Sequence, residues 1–230
     1  MQTSKDTIIN ADILDVLPTI PDGTFDMVLL DVPYEQEAHS RGFSRKRSIW
    51  AEMSEWTSLE NDWYNESLMK EYVRICKFPN LFCFGCKRDV FNLLSFAEKN
   101  KLFYDIIPIC KKAPPPFTNN NWLSNEYAVH IVDRKLGYTK EYNLKIPYFI
   151  VGGQKETGHP NEKDLAMVKR ILANITQEGD FIFDGFMGSG TTAVACQQLK
   201  RHFFGCELNK DYFEKSLKRL DDEKKQGELF

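Results

Sequence analysis

No stretch of the 230-residue chain approaches the ~18 consecutive apolar residues of a membrane-spanning helix, which excludes such a span. The N-terminus, Met1-Gln2-Thr3-Ser4-Lys5-Asp6, lacks an apolar export core and reads as that of a cytoplasmic protein. A strong charge of either sign is also missing. The net charge of −3 argues against a protein that coats nucleic acid indiscriminately. It leaves specific DNA binding open, because local phosphate contacts decide affinity. Six cysteines occur, but no metal-ligand pattern. Cys83 and Cys86 form a lone Cys-x-x-Cys with no second pair at ligand spacing, so no metal is expected. Cys83 and Cys110 sit in apolar runs, where a buried free thiol behaves as a small hydrophobe. Internal repeats are absent. What remains is a composition of 42% hydrophobic and 27% charged residues, enough for one α/β core and too short a chain for a comfortable second.

Short apolar runs alternate with helical periodicity, the pattern of a parallel-sheet α/β fold. Strands are expected at Thr7–Asn10, Phe25–Leu30, Leu81–Phe84, Leu102–Cys110, Tyr127–Val132, Phe181–Phe183 and Phe203–Cys206. Helices are expected over about 61–76, Asp89–Glu98 with Val90, Phe91, Leu94 and Ala97 inward, a segment carrying Leu165 to Ile175, about 191–199, and Tyr212–Leu220. Residues 134–158 read as a connection.

Phe183-Asp184-Gly185-Phe186-Met187-Gly188-Ser189-Gly190-Thr191-Thr192 runs from a strand through a glycine loop into a helix. Such a loop brings backbone donors close to a ligand at the positive end of a helix. A P-loop is excluded, because Thr191 stands where a lysine would have to reach phosphates. Gly188, Gly190, Ala193 and Glu207 satisfy a dinucleotide site and an S-adenosylmethionine site equally, since both ligands carry a ribose.

Asp31-Val32-Pro33-Tyr34 closes an apolar strand with an acid, a proline and an aromatic. Pro33 keeps Val32 extended, so the Asp31 carboxylate and the Val32 carbonyl can converge on one amino group. Tyr34 offers a face for an extruded base.

The two motifs together resemble those of the amino-specific (N-6 adenine or N-4 cytosine) DNA methyltransferases, whose signatures are Asp-Pro-Pro-Tyr and Phe-x-Gly-x-Gly. The catalytic motif comes first, as in the circularly permuted β group. The resemblance extends through Ile9–Gly23, Lys111–Pro114, Asn125–Tyr127, His159–Lys163 and Arg201–Asn209. It implies a Rossmann-like methyltransferase fold: a mostly parallel central sheet, helices on both faces, one domain over 1–230, and loop insertions at about 35–60 and 134–158. It implies S-adenosyl-L-methionine as cofactor, wrapped by Asp184, Phe186, Gly188, Ser189, Gly190, Thr191 and Thr192. It further implies Glu207 on the ribose hydroxyls, Asp12 near the cofactor adenine and Lys163 at the cofactor carboxylate. Asp31, Val32, Pro33 and Tyr34 form the target-base pocket.

Val32 departs from the family's proline; the carbonyl acceptor survives, but one φ restraint is lost. Asp164 also stands where the family often has proline. The expected reaction is methylation of the adenine amino group in double-stranded DNA by base flipping and direct transfer. Asp31 as first motif residue favours adenine. Methylation at cytosine carbon five is excluded, because the chain has no Pro-Cys dipeptide. Arg41, Arg45, Lys46 and Arg47 leave the catalytic strand end directly and are expected to meet DNA phosphates. A homodimer and a cognate restriction nuclease are compatible partners. The competing readings are a cytosine amino-group enzyme, a catalytically weakened DNA-binding relative, and a nicotinamide-dependent oxidoreductase.

Overall fold

The computed structural model describes residues 3–33, 63–111, 126–133, 147–152 and 162–227. These form one eight-stranded sheet. In chain order the strands are β1 (Thr7–Asn10), β2 (Met27–Asp31), β3 (Asn80–Gly85), β4 (Phe103–Lys111), β5 (Glu126–Val132), β6 (Phe149–Val151), β7 (Phe181–Asp184) and β8 (His202–Glu207). The helices are α1 (Ile13–Val16), α2 (Glu66–Ile75), α3 (Lys87–Lys99), α4 (Leu165–Ile175), α5 (Thr191–Gln198) and α6 (Lys210–Gly227). The spatial order is β1-β8-β7-β2-β3-β5-β4-β6. Every strand runs the same way except β5, which pairs antiparallel with both β3 and β4.

The register of β2 follows from its burial on both faces. Val28 and Leu30 belong to a core with Tyr64, Met69, Tyr72, Leu93 and Phe96, the layer of α2 and α3. Met27 and Leu29 face the opposite core, with Met167, Val168, Leu172 and Val194 of α4 and α5. A strand buried on both faces reads as a near-continuous apolar run, which is why Phe25–Leu30, interrupted by Asp26 alone, stands out in the sequence.

Chain direction reverses beside β2. From β7 the chain proceeds through α5 to β8 on one side; from β2 it proceeds through α2 to β3 on the other. Crevices for ligands form at such reversals, at the carboxyl ends of the strands. β2 and β7 are direct partners, with Leu29 opposite Asp184. The Asp31 turn and the glycine loop therefore leave neighbouring strand ends on one edge.

Four details depart from expectation. Phe91 is 72% exposed, whereas Ala97 is buried and Val90 and Leu94 pack against the core as expected, beside the buried Asp89, Leu93 and Phe96. The four buried residues repeat at i, i+4, i+7 and i+8, and Phe91 lies off their face. Helix α2 begins only at Glu66, where the Asn65 side chain accepts from the amides of Ser67 and Leu68; Tyr64 turns into the core ahead of it. Helix α6 runs on to Gly227. The 134–158 connection contains edge strand β6, parallel to β4. All six cysteines are free. Among the described residues no helix is long and apolar enough to cross a membrane.

Candidate active site

Four adjacent strands deliver an acid to the same edge: Asp12 after β1, Glu207 on β8, Asp184 on β7 and Asp31 on β2. Asp184 is buried, with Oδ1 accepting from the Phe186 amide at 2.9 Å. Burial pushes its carboxyl up to about 7, against the opposing hydrogen bonds from Thr192 and Phe186, with the charges of Asp31 and Glu207 adding to the rise. Glu207 is half-buried. Its Oε2 accepts from the Gly188 amide at 2.7 Å and Oε1 from the Asn209 amide at 2.8 Å. Burial raises its carboxyl as well, and these backbone donors pull against it. Each carboxylate oxygen has two lone pairs, so Glu207 keeps acceptor capacity for hydroxyls. Asp12 caps α1 through the Leu14 amide at 2.9 Å.

The loop between β7 and α5 depends on two left-handed glycines, Gly188 at φ 53° and Gly190 at φ 84°. Gly190 caps α5, and a Cβ there would lie 3.0 Å from Ser216 Cβ. Ser189, Thr191 and Thr192 are buried beneath the loop. Arg219 of α6 donates to Thr191 Oγ1 at 3.0 Å and pairs with Glu162 at 3.0 Å, tying the loop to the approach of α4. Phe186 meets Trp63 edge-on at 4.9 Å between centroids, so the glycine loop touches the chain that leads into α2.

On the other side of the crevice, Asp31 ends β2, Val32 is buried in the core and Pro33 is exposed. Lys163 places Nζ 2.9 Å from Asp31 Oδ1 and 3.6 Å from Glu126 Oε2, above the Phe84 ring at 5.0 Å from its centroid. Burial raises the Asp31 carboxyl; the Lys163 charge and hydrogen bond oppose that rise, and Glu126 adds to it. The family resemblance assigns Lys163 to the cofactor carboxylate; in the structure its ammonium lies between two acids. Asp164 caps α4 through the Met167 amide at 3.0 Å, which accounts for an acid where the family often has proline. Tyr34, Arg41, Arg45, Lys46 and Arg47 lie outside the described residues.

Trp63, Glu126, Glu162 and Arg219 join the site without a motif of their own: Glu126 and Glu162 stand inside segments that carry the family resemblance, and Trp63 and Arg219 carry no local signal.

The sequence profile of the DNA methylase family, the N6/N4 methyltransferases, matches residues 25–218. The chain belongs to this family. Among its relatives, the Type II methyltransferase M2.DpnII of Streptococcus pneumoniae is 24% identical, over 96% of this chain and 91% of its own. M2.MboI of Moraxella bovis is 26% identical, over 94% of this chain and 87% of its own. The crystal structure of M1.HpyAVI with SAM superposes with a TM-score of 0.69 at 25% identity, covering 93% of this chain and 99% of that one. PvuII DNA methyltransferase, described as cytosine-N4-specific, shares the fold with a TM-score of 0.66 at 15% identity, over 96% and 92% of the two chains. This DNA methylase is thus an α/β, Rossmann-like methyltransferase that acts on an amino group of DNA with S-adenosyl-L-methionine as methyl donor. The Glu207 carboxylate suits that cofactor, with acceptor capacity left for ribose hydroxyls beside its bonds to the Gly188 and Asn209 amides.

Proposed function

We propose that this DNA methylase transfers its methyl group to the exocyclic amino group of adenine within a specific double-stranded sequence. The observation that carries the reading is the pairing of β2 with β7 at the reversal of the sheet, which sets Asp31 beside the glycine loop. S-adenosylmethionine supplies a methyl group on a sulfonium sulfur. Glu207 accepts its ribose hydroxyls, Asp12 lies toward its adenine, and Asp184 to Thr192 hold its methionine part. The Asp31 carboxylate and the Val32 carbonyl accept hydrogen bonds from the substrate amino group and direct its lone pair into the crevice. Tyr34 stacks on the flipped base. Arg41, Arg45, Lys46 and Arg47 contact flanking phosphates, and the segments at about 35–60 and 134–158 read the sequence. The preference for adenine rests on Asp31 as first residue of the motif.

The test is incubation with tritiated cofactor and mixed-sequence DNA, then nucleoside analysis. Label in N6-methyladenine is expected. Label in N4-methylcytosine would overturn the choice of base, and absence of label with cofactor and DNA both bound would overturn catalysis itself.

A further inference from the structure

Lys163 is a nearly buried lysine at the centre of the catalytic edge. Three elements converge on its ammonium: the end of β2 through Asp31, the start of β5 through Glu126, and β3 through the Phe84 ring. Its side chain is 10% exposed, and those of Asp31 and Glu126 are 21% and 20% exposed. One cation thus faces two acids where solvent screens poorly. The 2.9 Å contact with Lys163 is made through Asp31 Oδ1. Other ionisable groups facing Asp31 are Asp184 at the end of β7 and the Tyr64 hydroxyl, which donates to the Phe84 carbonyl.

We infer that Lys163, braced by Glu126, is a positioning residue for the reaction: it holds the Asp31 carboxylate charged and fixed through Oδ1, leaving Oδ2 to accept from the substrate amino group. This rests on the function proposed above. A protonated Asp31 would have one oxygen converted to a donor and would repel the amino hydrogen it must accept. Burial alone drives Asp31 toward that protonated state, and Lys163 is the group that opposes it. A lysine serving only to stabilise the fold would leave the pH dependence of methyl transfer unchanged. A lysine serving only the cofactor carboxylate would alter cofactor affinity instead.

The experiment measures the single-turnover methylation rate against pH, at saturating cofactor, for the intact protein and its Lys163→Met, Lys163→Arg and Glu126→Gln variants. Loss of an opposite charge at this distance raises a carboxyl by about one pH unit or more. The acid limb of Lys163→Met should therefore move up by about that much, a roughly tenfold loss of rate below the limb that recovers at higher pH. Lys163→Arg should retain the original limb. Glu126→Gln removes a negative charge near Asp31 while keeping an acceptor for Lys163, so its limb should move down. This second shift keeps the inference testable if Lys163→Met does not fold. Unmoved limbs in folded variants, or a Lys163→Met defect confined to cofactor affinity, would overturn it. Absence of methylation by the unaltered protein at every pH would overturn the proposed function instead.

Discussion

Asp184→Asn should stabilise the protein in a way that grows with pH. The Asp184 carboxyl sits near 7 in the folded protein against an ordinary 3.8. Each tenfold change in an acid constant is worth ~1.4 kcal/mol, so the full difference is on the order of 4 kcal/mol. The sign follows from proton linkage. Between about pH 4 and pH 7 the folded protein keeps a proton that the unfolded chain has released, so stability is greatest below that window, falls through it and levels off above. Roughly 3 kcal/mol of that fall lies between pH 5 and pH 8. Asparagine has no proton to lose and keeps an acceptor for the Phe186 amide. The raised carboxyls of Asp31 and Glu207 contribute slopes of the same sign and remain in the variant. Urea unfolding of both proteins at pH 5, 6, 7 and 8 isolates the Asp184 share. The stability difference should widen by about 3 kcal/mol in favour of the variant as pH rises. Parallel stability curves would refute the claim that this acid is held protonated by its burial.

Three further outcomes follow from the same geometry. Gly190→Ala places a side chain at φ 84° and a Cβ 3.0 Å from Ser216 Cβ, so urea unfolding should register a loss of about 2 kcal/mol or more. Arg219→Met strips a cation from Glu162, whose side chain is 4% exposed. Unfolding measurements should show a loss of about 3 kcal/mol, partly recovered when Glu162→Gln is added. Phe91→Ser should change stability by less than about 0.5 kcal/mol, because the ring is already in solvent.

How much of this could be read beforehand depends on the range of the interaction. β2 and the glycine loop were legible because burial on both faces and a left-handed turn each leave a mark in consecutive residues. The helix over Lys87–Lys99 was legible down to the inward Val90, Leu94 and Ala97, but the hydrophobicity of Phe91 misled, since its ring lies off the stripe that includes the buried Asp89. Strand β6 is three residues long and sits at the sheet edge, too short to show an alternation. The Lys163 contact with Asp31 and Glu126 joins three distant segments, and no local pattern encodes which acid a lysine will meet. The resemblance drew attention to Lys163 without giving its partner. The pairing of β2 with β7, on which the whole site depends, follows from sheet topology rather than from either motif alone.

The most direct test of the account separates cofactor binding from chemistry in Asp31→Ala. Calorimetry with S-adenosylmethionine should give an affinity within about threefold of the unaltered protein, because Glu207 and the glycine loop are untouched. Single-turnover transfer of labelled methyl to DNA should fall at least about a hundredfold, the scale of losing a hydrogen-bonding group aimed at the reacting atom. Methyl transfer by Asp31→Ala at the unaltered rate would contradict the assignment of this strand end to the target base.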